Sequence, residues 1–241
     1  MSLPLVLRRG ALVALLALAL PLAVAAQAQP ARPAAPSSTP YPGEITLRVD
    51  ATDLDRKILR VQQTLPVRPG PLTLYLPRWL PGQHASTGEI TAMAGLQIRA
   101  RGQALAWERD PLDPFAFSVV VPGDADTLDI VFQHLSPVTP ASGRVVVTRQ
   151  MLNLQWQAVL LYPAGWHAAA IRVAPTLVLP AGWQAGTALR PLRQQGGTLQ
   201  FQPVTLEMLV DSPVFAGRHF RRIELEAPGA PRAVALNLVA D

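Results

Sequence analysis

The sequence predicts an all-β fold, a sandwich or saddle of antiparallel sheets, and three observations support this class. Short segments alternate apolar and polar residues with the period of a half-buried strand, as Leu72, Leu74 and Leu76 do around Thr73 and Tyr75. The chain has 16 glycines and 25 prolines, which separate these segments. No stretch of a dozen residues places apolar side chains at helical spacing, so we expect only short helical turns.

Fifteen segments carry the strand pattern and are rich in Val, Ile, Thr and aromatic residues. They are residues 45–49, 58–65, 72–76, 96–101, 104–108, 115–121, 128–132, 144–148, 152–160, 171–179, 183–189, 198–202, 205–210, 219–225 and 232–239. Gly102-Gln103 and Gly196-Gly197 predict hairpin turns. Single helical turns are predicted within residues 166–170 and 208–215. Because no repeat period is present, a propeller or solenoid is disfavoured.

The first 28 residues have the pattern of a secretory signal peptide. Arg8 and Arg9 precede an apolar run over residues 11–26, and the small-residue motif Ala26-Gln27-Ala28 follows. We therefore expect a periplasmic or secreted protein without a membrane segment after cleavage. Residues 29–43 are rich in Pro, Ala and Ser and predict a flexible segment. Residues 44–241 form the predicted β domain.

Composition narrows the choice of partners. The chain has no cysteine, so its fold must rely on a core without disulfides. The 21 basic and 16 acidic residues give a net charge of +5. Nearly all of the positive charge is arginine scattered singly along the predicted strands, which is typical of a solvated surface and not of a nucleic-acid interface. We expect no nucleic-acid partner.

The sequence contains no recognisable catalytic or metal-binding motif. None of its four histidines, His84, His134, His167 and His219, belongs to an H-E-x-x-H pattern or has a second ligand at helical spacing. A G-x-S-x-G turn is also missing. We therefore expect no catalytic residue, no metal ligand and no cofactor in this chain.

Five tryptophans leave two interpretations open. Trp79, Trp107, Trp156, Trp166 and Trp183 either pack in the core and at sheet ends or form a platform on which a sugar stacks. The sequence favours packing, because nothing in the pattern groups the five rings on one face.

Five blocks of sequence resemble a known family. In order, they are LYLPRWLPGQH, WERDPLDPFAFSVVVPGDADTLDIVF, NLQWQAVLLYPAGW, LVLPAGWQAGTALRP and VTLEMLVDSPVFAGRHFRRIEL. Together they resemble the N-terminal domain of the glycyl-aminopeptidase type of zinc metallopeptidase, metallopeptidase family sixty-one, and the resemblance runs from Ile45 to the C-terminus. Its most specific parts are the W-x-P-G corner and the D-S-P-V-x-A-G segment. We expect structural roles for their motif residues, which are Trp79, Pro81, Gly82, Asp211, Ser212, Pro213 and Gly217.

The resemblance implies where the chemistry lies. Full members of the family add a thermolysin-like catalytic domain, which carries the zinc ligands, and a PDZ domain. We therefore expect zinc only in a catalytic domain that this chain lacks, and we expect a truncated or split protein that is not catalytic alone. Many members have Ser and Tyr where this chain has Gln83 and His84. His84 and Gln157 are candidates to face the substrate cleft, although strand alternation favours an outward, solvated position for Gln157.

Two functions follow from these observations. The first is a non-catalytic N-terminal domain that shapes a peptide-substrate cleft beside a catalytic metallopeptidase domain, in cis or in trans. It predicts a sheet face left apolar where that domain packs. The second is a free-standing periplasmic module that binds peptide or carbohydrate, and it predicts a self-contained pocket with a polar rim.

Overall fold

The computed structural model describes residues 35–79, 85–138, 146–226 and 234–241. Within them the predicted all-β class is confirmed. The strands are β1 (Glu44–Asp53), β2 (Ile58–Pro66), β3 (Gly70–Tyr75), β4 (Met93–Ala100), β5 (Gln103–Leu105), β6 (Trp107–Arg109), β7 (Ala116–Val121), β8 (Thr127–Leu135), β9 (Val146–Val147), β10 (Met151–Leu154), β11 (Tyr162–Pro163), β12 (Arg172–Val178), β13 (Gln184–Gly186), β14 (Pro191–Gln195), β15 (Thr198–Phe201), β16 (Val204–Thr205), β17 (Val214–Gly217), β18 (His219–Glu224) and β19 (Ala235–Ala240).

The helical structure in these ranges is short. It consists of the α-helix α1 (Leu206–Val210) and three 3₁₀ turns at Ile90–Ala92, Trp156–Ala158 and Ala168–Ala170. None of the helices in the described ranges is long and apolar enough to cross a membrane.

One large sheet forms the base of the fold. Its strand order is β14-β15-β12-β1-β2-β8-β4-β5, and β16 also pairs with β12. The strands β1 and β12 run parallel, with Glu44 opposite Arg172 and Asp50 opposite Val178. This pair departs from the predicted antiparallel arrangement. It is possible because more than 100 residues separate the two strands, enough for the long connection that parallel pairing needs.

Three smaller sheets complete the architecture. Two have four strands each, in the orders β13-β17-β10-β9 and β11-β3-β7-β6, and the third is the β18-β19 hairpin. Buried side chains of the large sheet and of both four-stranded sheets belong to one hydrophobic core. On β1, Ile45, Leu47 and Val49 are buried while Thr46 and Arg48 are exposed, which is the alternation that the sequence predicts.

The buried row of β2 contains a polar residue, Gln63. Its side-chain amide donates to the carbonyl of Leu161 and accepts from the Leu161 N–H at 3.0 Å. Gln63 thereby supplies both hydrogen bonds that a neighbouring strand would give to Leu161. This contact joins the segment before β11 to the large sheet.

Residues 35–43, the end of the segment predicted to be flexible, contact the domain. Tyr41 is 6% exposed and lies in the core. Its hydroxyl donates to the carbonyl of Pro66. The backbone N–H of Ser37 donates to the Gly165 carbonyl at 2.8 Å. The contacts of the domain therefore begin before Glu44. The predicted signal peptide lies outside the described residues.

In two predicted strands the structure has a helix or a 3₁₀ turn over part of the range. Residues 205–210 form the end of β16 and α1, because Thr205 caps the helix by accepting from the Met208 N–H at 3.2 Å. Within the predicted strand 152–160, the observed strand β10 ends at Leu154, and the chain then forms the 3₁₀ turn Trp156–Ala158.

Candidate functional site

A pocket opens beside Trp79, where β3, β11 and α1 approach one another. Tyr75 ends β3 and lies opposite Tyr162 of β11, so both rings point to the same side of the sheet. Their centroids are 5.9 Å apart with the rings tilted by 42°. The cavity has a volume of about 410 Å³. We call it the Trp79 pocket; the lining residues used below are Tyr75, Arg78, Trp79, Asp113, Tyr162 and Glu207.

An ion pair forms the polar part of the Trp79 pocket. Arg78 Nη1 lies 2.9 Å from Asp113 Oδ1, and the guanidinium carbon lies 5.8 Å from the centre of the Phe115 ring. Asp113 Oδ1 also accepts from the Phe115 N–H at 3.2 Å. These contacts fix the orientation of the Arg78 side chain. Trp79 is 63% exposed at the rim.

Both tyrosines of the pocket remain neutral over the physiological pH range. Burial raises the pKa of Tyr75, and the charge of Asp113 raises it further. Burial also raises the pKa of Tyr162, with Tyr75 adding to the effect. Neither hydroxyl has a hydrogen-bond partner among the described residues. Each is therefore free to donate to a ligand.

Gln157 is buried, which corrects the outward, solvated position that strand alternation favoured. It lies in the Trp156–Ala158 turn and is 7% exposed. Its amide nitrogen lies 3.3 Å from Gln155 Oε1, and the Gln155 nitrogen lies 2.9 Å from Asn153 Oδ1. Gln157 Oε1 has no hydrogen-bond partner within the described part of the chain. A row of three amides thus ends in a buried acceptor that no described donor satisfies.

The D-S-P-V-x-A-G segment connects α1 to β17. Ser212 is 1% exposed, and its hydroxyl donates to the Met208 carbonyl at 2.7 Å. The Ser212 carbonyl accepts from Trp156 Nε1 at 2.9 Å. Asp211 is the exposed C-cap of α1, and Pro213 follows before the strand. The segment holds the Trp156 turn, and with it Gln157, against α1.

Gly217 and Gly186 allow the β18-β19 hairpin to approach closely. A Cβ atom on Gly217 would lie 2.6 Å from Val239 Cγ1, and one on Gly186 would lie 2.7 Å from Asn237 Cγ. Val239 and Asn237 therefore point toward β17 and β13. Because side chains alternate along a strand, Leu236 and Leu238 point away from the domain.

The outward side of this hairpin carries five large apolar side chains, together with the exposed Arg221 opposite Leu238 and the exposed His219 opposite Ala240. Ile223 lies opposite Leu236, and the Leu225 N–H donates to the Val234 carbonyl at 2.8 Å. Leu225 is 59% exposed, Val234 and Leu236 are each 45% exposed, and Leu238 is 44% exposed. We call these five residues the hairpin face. An apolar cluster of this kind is typical of an interaction surface.

The other candidates from the sequence divide into described and undescribed residues. Pro81, Gly82 and His84 lie outside the described residues, so the corner after Trp79 stays a prediction. Within residues 35–79, 85–138, 146–226 and 234–241, no three His, Asp or Glu side chains converge in a way that could hold a metal ion. His134 has one acidic neighbour, with Glu89 Oε2 3.6 Å from its Nε2. That part of the chain does not fit a zinc centre.

The tryptophans have separate surroundings in the structure. Trp156 is fully buried and packs its ring edge-on against Phe201, with centroids 6.4 Å apart. Trp183 is 6% exposed. Trp107 packs against Phe117, and Trp166 packs against Tyr41. Trp79 is the one with a largely exposed ring.

One solved structure supports this architecture, and a second matches it more weakly. A solved aminopeptidase N family protein from Idiomarina loihiensis matches with a TM-score of 0.68 and 16% identity, over 82% of this chain and 32% of its own. An M1 zinc metallopeptidase from Deinococcus radiodurans matches with a TM-score of 0.44 and 16% identity, over 83% of this chain and 46% of its own. The chain thus spans about a third of the first protein and less than half of the second. No curated protein sequence matches it.

The family assignment rests on a broader match along the sequence. The family described as the Peptidase M61 N-terminal domain matches residues 46–218, which is more than two thirds of the chain. This range contains Trp79, Gln157 and the D-S-P-V-x-A-G segment, and it confirms the resemblance found in the sequence. The chain belongs to the Peptidase M61 N-terminal domain family.

Proposed function

We propose that this chain is the non-catalytic N-terminal domain of an exported zinc aminopeptidase-like protein. It packs against a catalytic metallopeptidase domain, in cis or in trans, and helps to shape the cleft for a peptide substrate. Zinc belongs to the catalytic partner in this proposal. The hairpin face is the single observation that carries it, because it is the apolar surface expected where a second domain packs.

The hairpin face differs from the other exposed apolar residues. Leu112 and Val120 are 86% and 69% exposed, but they are single residues of a loop and of β7, which is normal on a protein surface. The hairpin face gathers four large side chains, each 44–59% exposed, on two paired strands. Its strands are held from behind by the close contacts at Gly217 and Gly186. It is therefore a surface of fixed geometry.

Gln157 supports a role beside the substrate. Its buried Oε1 lacks a partner among the described residues, and burial of an unpaired acceptor costs about 1–3 kcal/mol. Because Oε1 is enclosed in the domain, a donor from the catalytic domain or from a peptide amino group would remove that cost only if the Trp156–Ala158 turn shifts to admit it. In this proposal Gln157 lies on the wall of the cleft. His84 remains a second candidate for the same wall from its sequence position.

Export through residues 1–28 is a further part of the proposal. It rests on Arg8, Arg9, the apolar run over residues 11–26 and the motif Ala26-Gln27-Ala28. Expression of the full chain in a bacterium, followed by N-terminal sequencing of the periplasmic product, tests it. We expect a mature chain that begins at Gln29. Recovery of the uncleaved chain in the cytoplasm contradicts export.

The docking proposal is tested by substitution of the hairpin face. The catalytic domain of a family relative is produced separately, and its binding to the full chain is measured by titration calorimetry. The double variant Leu236→Thr and Leu238→Thr keeps a strand-forming residue at each position but removes apolar area. Burial of one leucine contributes about 1.5–3 kcal/mol. We therefore expect the affinity to fall at least about tenfold.

The matched control is Leu192→Thr on the edge strand β14, where the side chain is also exposed at 63%. We expect this variant to bind the catalytic domain as the original chain does. We also expect the double hairpin variant to change the free energy of unfolding by less than about 1 kcal/mol, because its leucines are exposed. Unchanged binding by the double variant contradicts the proposal. Unfolding of that variant contradicts it as well, since the face would then be part of the core of this domain.

A second function is favoured by the Trp79 pocket. A free-standing binding module for peptide or carbohydrate requires a self-contained pocket with polar groups at its rim. The Trp79 pocket has aromatic walls, an ion pair and an exposed indole. A free-standing module and a docked domain are alternatives, but ligand binding in the Trp79 pocket is compatible with either, because the hairpin face and the Trp79 pocket share no residue.

A further inference from the structure

Two of the three charged side chains that line the Trp79 pocket neutralise each other. Arg78 and Asp113 form an ion pair at 2.9 Å, so their charges compensate each other. Glu207 leaves the lining with a net negative charge, which disfavours an anionic ligand, and a cationic ligand near Asp113 would also meet Arg78. The ion pair can still bind a polar ligand. Arg78 has further N–H groups that can donate, and Asp113 Oδ2 can accept because it has no hydrogen-bond partner among the described residues.

The strands beside the pocket have few free backbone groups with which an extended peptide could pair. Tyr75, at the end of β3, is paired with Ala116 on one side and with Tyr162 on the other. An extended peptide therefore cannot add to the sheet at β3. The edge strand β11 consists of Tyr162 and Pro163, and proline has no N–H to donate. A ligand of this pocket is recognised by side chains.

The side chains of the pocket match the surface of a sugar ring. A pyranose has apolar C–H faces that stack on aromatic rings, and its hydroxyls both donate and accept hydrogen bonds. Trp79 is 63% exposed at the rim of the pocket. The rings of Tyr75 and Tyr162, with centroids 5.9 Å apart, form one of its walls. The two tyrosine hydroxyls and Asp113 Oδ2 are available to form hydrogen bonds with the hydroxyl groups of the sugar. We propose that the Trp79 pocket is a binding site for a neutral saccharide, which names the ligand class of the second function proposed above and rests on that function.

The test uses the full chain and three neutral saccharides, namely N-acetylglucosamine, maltose and cellobiose. Binding is followed by tryptophan fluorescence and by titration calorimetry. We expect saturable binding of at least one of them, and we expect its affinity to be unchanged between low and high salt because the ligand carries no charge. Trp79→Ala should weaken this binding about tenfold, which corresponds to the loss of one stacked ring.

Controls separate this site from other causes. Phe215→Ala removes another exposed aromatic side chain, 42% exposed on β17, and should leave saccharide binding unchanged. N-acetyltyrosinamide serves as the peptide-like probe and should not compete. Lack of saturable binding by all three saccharides overturns the proposal, as does unchanged affinity in Trp79→Ala. Tighter binding of N-acetyltyrosinamide also overturns it and assigns the pocket to peptides. The hairpin variants should bind the saccharide normally, so this test and the docking test fail independently.

Discussion

The buried histidine of β8 makes the stability of this domain depend on pH. His134 is 0% exposed, and neither ring nitrogen has a hydrogen-bond partner among the described residues. Burial lowers the pKa of His134 from 6.5 to about 4, because the charged imidazolium loses its hydration. Glu89 Oε2, 3.6 Å from Nε2, favours the charged form, but burial outweighs it. His134 is therefore neutral in the folded protein at pH 7.

The sign and size of the effect follow from the two pKa values. Between pH 6.5 and about 4 the unfolded chain binds a proton that the folded domain does not bind. The free energy of unfolding therefore falls as the pH is lowered through this window. With these pKa values, His134 costs about 1.4 kcal/mol at pH 5.5 and about 3 kcal/mol at pH 4. Above pH 7 the effect vanishes.

Urea unfolding at pH 7, 5.5 and 4, monitored by tryptophan fluorescence, measures this cost. The comparison is with His134→Leu, which cannot titrate. Other groups also respond to acid: hydrogen bonding from Arg56 lowers the pKa of Asp53, whose stabilising contribution is lost as the pH falls. Such contributions are common to both proteins and cancel in their difference. We expect the difference in unfolding free energy to change by about 3 kcal/mol from pH 7 to 4. A difference that does not vary with pH refutes the reasoning.

Two further predictions concern close contacts in the core. Gly217→Ala should destabilise the domain by about 1–3 kcal/mol in thermal or urea unfolding, because the new Cβ would overlap Val239 Cγ1 at 2.6 Å. Gly123→Ala, where no atom lies within 4 Å, is the control, and equal effects of the two would contradict the packing of the hairpin. Gln63→Leu should cost about 2–5 kcal/mol in urea unfolding, since it leaves the N–H and the carbonyl of Leu161 unpaired in the core. The exposed neighbour Gln62→Leu should change the unfolding free energy by less than about 0.5 kcal/mol, and a similar loss there would argue against the amide contact.

Much of the fold could be predicted from local patterns. Alternation along β1 and β2 placed Ile45, Leu47 and Leu59 in the core, and the Gly196-Gly197 turn joins β14 to β15 as expected. The strand β14 itself was missed because all of its residues are exposed, so no alternation marks it. The short helix α1 lies within the predicted strand 205–210, and the helical turn predicted within residues 208–215 overlaps only its last three residues. The residue that could have predicted the start of this helix is Thr205, a residue type favoured at helix N-caps.

The candidate site was harder to predict because its parts come together through distant contacts. The sequence singled out Trp79 and Gln157, but not the ion pair of Arg78 with Asp113, which are 35 positions apart. It also missed Gln63, whose contact to Leu161 spans 98 positions. Periodicity places a side chain on one face of a strand but does not identify its partner across the core. Burial of Gln157 depends on the 3₁₀ turn that interrupts the expected strand.

The most direct test of docking through the hairpin face uses the absence of cysteine from the sequence. A single Leu238→Cys substitution, with Leu192→Cys as its counterpart on β14, gives each protein one thiol on an exposed strand position. The rate of maleimide labelling is measured with and without the catalytic domain of a family relative. Our account predicts that the catalytic domain slows labelling at position 238 and leaves position 192 unchanged. Equal labelling rates at position 238 in the presence and absence of a saturating catalytic domain would contradict it.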